Sequence, residues 1–297
     1  MTRLVRIGAL VLVLLAPAAC AGRDHPTSVV DSVGGSGEDD WGLNAEGLDR
    51  WQKFPVTAKP RPLVLIGGRI HEAGYTTVEA KMAVSAGLVE VPGTPPAGPP
   101  KVRTELPVGR AELRTIGSAE ALNLIVKQGT PSSERVAPVK ITSVAFGSGE
   151  FLTDRGPLKL PAWLFSSPEM LGPIAVLALD PAALWVTEPA VYPLASSGNT
   201  IAADDRTLVV QLPEAAEGTC PGQPVYAYEA VSEESATAVQ IGLTRRQTGV
   251  TEGDPKQNCT QPTMLRLTAY TVTLVEPLGN RVVIQRNGAP IPITRKA

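Results

Sequence analysis

Proline punctuates this chain so often that a long helix has almost nowhere to run. Proline and glycine each occur 28 times in 297 residues, which puts proline near twice its usual share of roughly 5%. Proline has no N–H to give a helix interior or a central β-ladder, and both residues favour turns. Many short strands are the expected product, in a chain that is α+β and mostly β. Hydrophobic residues make up 43% of the sequence and charged residues 19%. That is enough apolar surface to build a core.

Two folded parts are expected. Residues 41–186 read as an α+β region with a short β-meander, 187–205 as a connection, and 206–297 as an antiparallel β-sandwich or barrel. In the first part, Asn44 caps a short helix in which Glu46 faces Arg50, Leu48 and Trp51 share the buried side, and Pro55 brings the stop. A second helix is expected over 77–86, with Thr76 and Glu79 as a capping box, and a third over 119–128, capped by Ser118. The proline-rich run 92–100 reads as an extended surface loop. Strands over 139–146, 158–165 and 174–179 would form the meander, turning at Gly147-Ser148-Gly149 and at Asp154-Arg155-Gly156-Pro157. In the second part Leu208, Val210 and Leu212 recur at every second position, as in a strand. Asn287-Gly288 is the clearest hairpin signal, because both residues tolerate positive φ.

Residues 1–19 have the form of an export signal. Arg3 and Arg6 precede an apolar run over 7–15 that is short for a bilayer span, and Ala16-Pro17-Ala18-Ala19 leads into Cys20. A cysteine directly after such a signal points to a lipoprotein of palmitate type, anchored to the cell membrane through a diacylglyceryl group on Cys20. Residues 20–40 would then be a polar, flexible tether. Pro17 stands where lipoprotein signals usually carry leucine, and cleavage after Ala18 would instead release a secreted chain with Cys20 unmodified. With Cys20 lipidated, Cys220 and Cys259 are left as one pair in an oxidising compartment. A disulfide there would close a loop of roughly forty residues and stabilise the fold by about 4 kcal/mol.

The net charge of −2 argues against nucleic acid as a partner, since that requires a clustered basic surface. Only His25 and His71 are present, so no histidine cluster can hold zinc. No nucleophile elbow, phosphate loop or calcium loop occurs either. No cofactor, metal site or catalytic set is therefore expected. Asp154, Asp180, Asp204, Asp205 and Glu229 are the carboxylates that could serve as an acid–base pair, yet each reads more simply as structural or solvent-facing. Trp163 with Phe165, and Tyr226 with Tyr228, suit core packing better than a sugar-stacking platform.

Two stretches resemble a group of uncharacterised secreted and lipoprotein-type proteins from actinobacteria. One is 151–180, especially Thr153-Asp154-Arg155-Gly156-Pro157 and Leu160-Pro161-Ala162-Trp163-Leu164-Phe165. The other joins Glu234-Ser235-Ala236-Thr237-Ala238-Val239 to the run 272–283, which ends Leu278-Gly279-Asn280-Arg281-Val282-Val283. The resemblance implies an exported, membrane-anchored protein and assigns no chemistry. A non-enzymatic binding module at the cell envelope is the leading expectation, its partner an envelope protein or wall polymer. A carboxylate-dependent envelope hydrolase is the alternative.

Overall fold

The computed structural model describes residues 42–107, 109–130, 135–186, 198–214, 220–253 and 266–296. The chain is α+β and mostly β. Its first sheet places Ile70–His71, Ile174–Leu177, Gly156–Ser166 and Ser143–Thr153 side by side, all antiparallel. Both faces of that sheet are covered. Trp163, Phe165, Ile174 and Val176 pack towards helices α2 (Val78–Ser85) and α3 (Ser118–Gln128). Phe151, Leu160, Ala162 and Leu177 pack instead with Leu106 and Leu113, which belong to a hairpin formed by Lys101–Leu106 and Gly109–Arg114. Burial on both sides explains why Ile174–Leu177 is a continuous apolar run rather than an alternating one.

The C-terminal strands form two sheets around a shared core. One runs Leu267–Thr273, Thr207–Pro213, Thr200–Ile201, Thr294–Arg295; the other runs Pro224–Glu234, Ala238–Val250, Val282–Ile284. Leu208, Val210 and Leu212 from the first meet Val239, Ile241 and Val283 from the second. This is a sandwich, and the described strands close no barrel. It is mainly antiparallel, but Thr200–Ile201 pairs with Thr294–Arg295, and Ala238–Gln240 with Val282–Ile284, in parallel.

Helix α1 (Ala45–Asp49) ties the start of the folded chain to this sandwich. Asn44 caps it as expected, accepting from Glu46 N–H at 3.1 Å, and Glu46 pairs with Arg50 at 2.9 Å. Leu48, Trp51 and Phe54 then cover the outer face of the second sheet at Ala238, Val282 and Ile284. Gln240, fully buried, holds both backbone groups of Asn44, accepting from its N–H at 2.7 Å and donating to its carbonyl at 2.8 Å. Trp51 Nε1 donates to Gly288 O at 2.8 Å. Gly47 is required there, because a Cβ would come 2.5 Å from Arg286 O. N-terminal residues thus belong to the C-terminal core, and Asp39–Ala297 is one compact unit.

Several local expectations shift. Gly147-Ser148-Gly149 is not a turn but the middle of the Ser143–Thr153 strand, which pairs with Gly156–Ser166 without a bulge. Both glycines sit where a neighbour comes close: a Cβ would lie 2.9 Å from Leu164 Cδ1 at Gly147 and 2.9 Å from Ala175 Cβ at Gly149. Thr77, not Thr76, caps α2, accepting from Ala80 N–H at 3.1 Å, while the Thr76 hydroxyl donates to Glu169 O. Gly117 precedes α3, and the Ser118 hydroxyl holds the proline-rich loop at Pro96 O, 2.5 Å away. The 154–157 turn and the Asn287-Gly288 turn form as read, the latter with Gly288 at φ 81°.

Candidate functional site

The Thr153–Gly156 turn is short because the Thr153 hydroxyl accepts from Arg155 N–H at 3.1 Å and donates to Gly156 O at 2.8 Å. Gly156 adopts φ 83°, and a Cβ there would meet Thr294 Oγ1 at 2.7 Å. The turn points Asp154 inward, where it is 2% exposed. Arg61 meets it with both terminal nitrogens, Nη2 at 2.5 Å and Nη1 at 3.3 Å. Arg61 Nε donates to Asn280 O at 2.9 Å, and its guanidinium lies 4.7 Å over the Phe54 ring. Arg155 follows at 3.6 Å from the same carboxylate and donates to Gly279 O and Arg281 O, each at 2.9 Å. Burial pushes the Arg155 guanidinium down to about 10 despite Asp154 beside it, which leaves it charged at neutral pH.

The loop reached by these arginines is fastened from two further directions. Glu234 accepts from Val275 N–H at 2.6 Å and from Arg281 Nη1 at 2.7 Å. Burial alone would raise the Glu234 carboxyl, but Arg281 and the N–H groups of Val275 and Glu276 outweigh it and hold it below the usual carboxylate range. Arg281 Nη2 also donates to Glu276 O at 2.7 Å and Pro277 O at 2.9 Å. From the third side Asp205, at φ 58°, accepts from Gly279 N–H at 2.8 Å. The stretches singled out in the sequence, 153–157 and 234–239 with 272–283, therefore meet at a single junction between the sheets. Arg61 joins from outside those stretches, while Glu234 and Arg281 lie within them but had no role assigned from the sequence.

Beside the junction lies a cavity of about 260 Å³, lined by Leu63, Leu106 and Leu113 with Arg61, Arg114, Glu112 and Asp180. Asp180 is half-buried, and its carboxylate caps the short turn at Pro181–Ala183 by accepting from Ala182 N–H at 2.8 Å. The other candidate carboxylates lie elsewhere. Asp204 folds the 204–207 turn, accepting from the Thr207 hydroxyl at 2.6 Å and from two backbone N–H groups, and these bonds bring its carboxyl down to about 2. Glu229 is exposed on the Pro224–Glu234 strand. His71 is exposed at the edge of the first sheet. Trp163 and Phe165 are fully buried, and Trp163 Nε1 donates to Ile116 O at 2.9 Å. Tyr228 packs on the sandwich core, while the Tyr226 ring lies under Arg245 at 4.7 Å. Cys220 is buried at 7% exposure, whereas Cys20 and Cys259 lie outside the described residues.

Among the described residues no group of three His, Cys, Asp or Glu could hold a metal ion, and no helix is long and apolar enough to cross a membrane. No family model, no curated protein and no solved structure matches this chain.

Proposed function

We propose that this chain is an exported lipoprotein, held on the outer face of the cell membrane by a diacylglyceryl group on Cys20, whose folded part is a non-enzymatic binding module of the cell envelope. Within that reading Cys220 and Cys259 form its structural disulfide. One observation carries the binding reading. The carboxylates best placed for chemistry are engaged by the protein's own donors: Asp154 by Arg61, Asp180 by Ala182 N–H, Asp204 by Thr207, and Asp205 by Gly279 N–H. Such an arrangement suits a stiff scaffold better than a proton-transferring pair, which must face its substrate.

The test is in-cell cross-linking of the anchored protein followed by mass spectrometry, with Cys20→Ser as control. One dominant envelope partner, absent when Cys20→Ser frees the chain from the membrane, is the expected result. An unmodified Cys20 in the intact mass would end the anchoring half, and a chain that cross-links to nothing would end the binding half. The hydrolase alternative draws on the cavity, where Asp180 and Glu112 share one lining. It requires that Asp180→Asn abolish turnover of a wall substrate while the protein stays folded.

A further inference from the structure

The outer face of the Lys101–Leu106 and Gly109–Arg114 hairpin is charged at every rung. Lys101 stands opposite Arg114, Arg103 opposite Glu112, and Glu105 opposite Arg110, and all six are exposed. Leu106 and Leu113 turn the other way into the core. Two ion pairs form, Arg110 with Glu105 at 2.6 Å and Lys101 with Glu112 at 3.1 Å. Both anions are then used, and Arg103 and Arg114 make no ion pair among the described residues. Three cations, Lys101, Arg103 and Arg114, therefore share Glu112 at the open end of the hairpin. Like charges directly opposite one another weaken an antiparallel pair. Lys101 facing Arg114 is a local cost that the fold itself does not need, and conflicts of this kind concentrate at functional surfaces. The excess is positive on a chain whose net charge is −2.

We propose that this strip docks on the anionic headgroups of a phospholipid membrane, as an electrostatic contact beside the lipid on Cys20. The proposal rests on the anchoring reading for the choice of surface, because a tethered chain meets headgroups at high local concentration. Charge complementarity supplies the attraction, which is strong near an anionic leaflet and decays within a Debye length.

The experiment is vesicle flotation of the full chain carrying Cys20→Ser, so that no acyl chain contributes. Phosphatidylglycerol-containing vesicles should carry the protein up the gradient at low salt, and pure phosphatidylcholine vesicles should not. Arg103→Gln with Arg114→Gln should lower partition about thirtyfold with an unchanged melting temperature. Equal binding to both vesicles, absence of binding to the anionic ones, or full binding by the double variant would each overturn the proposal. So would binding to soluble polyphosphate without binding to vesicles, which would point to a wall polymer instead. Failure of the anchoring reading shows separately, as a missing diacylglyceryl increment on Cys20 in cells.

Discussion

Two sets of arginines in this molecule live under opposite conditions. Arg61, Arg155 and Arg281 are buried or nearly so at the junction, where each meets a carboxylate and the carbonyls of the loop before Val282. Arg103 and Arg114 are exposed on the hairpin and make no ion pair among the described residues. Burial makes an unpaired charge very costly, so a buried charge reports how the chain is assembled. Water imposes no such demand, and an exposed excess of one sign is available to a partner. Charge inside this protein is architecture; charge on its hairpin is a surface for docking.

The largest test of that contrast is Asp154→Asn. It strands the Arg61 cation inside the protein, and breaking a buried pair from one side costs about 3–5 kcal/mol. Thermal unfolding should show the midpoint falling on the order of 10 °C. A variant that melts like the parent would put Asp154 back among the chemical candidates. Gly47→Ala comes next. Its methyl has to push against Gln240 and Arg286 O, a crowding worth about 1–3 kcal/mol, and hydrogen exchange over residues 44–54 should quicken relative to the first sheet.

A smaller effect follows pH. The Glu234 carboxyl is held low in the folded state, so its contribution is present above the unfolded value of roughly 4.3. It is lost as pH falls through the lower folded value. Glu234→Gln should therefore melt lower than the parent at neutral pH and approach it in acid. A constant gap at all pH values would mean that the carboxylate charge is irrelevant to the loop. Smallest of all is Arg114→Gln. Removing a like charge opposite Lys101 should leave stability within about 0.5 kcal/mol of the parent, with a slight gain. A clear loss would show that the hairpin face is structural after all.

Much of the fold was legible where the signal is local. The Asn44 cap, the Glu46–Arg50 pair and the Asn287-Gly288 turn each depend on residues a few positions apart. The Gly147–Gly149 segment misled for a physical reason. Its glycines serve close approach by Leu164 and Ala175, partners that only the assembled sheet supplies. The same limit hid the junction. Arg61 and Asp154 are far apart in the chain, as are Glu234 and Arg281, and nothing in the neighbourhood of either residue names its partner. The parallel pairings of the sandwich were invisible for the same reason. The charged rungs of the hairpin were readable as residues but not as a strip, because their register is fixed by the fold.

The most direct measurement is a double-mutant cycle on Arg61 and Asp154, using Arg61→Met, Asp154→Asn and the pair together, followed by thermal and denaturant unfolding. Each single variant should be strongly destabilised, and the double variant should lose far less than their sum, because removing both charges leaves neither one stranded. Additive losses, or an Asp154→Asn protein as stable as the parent, would contradict the view that Arg61 and Asp154 neutralise each other inside the junction.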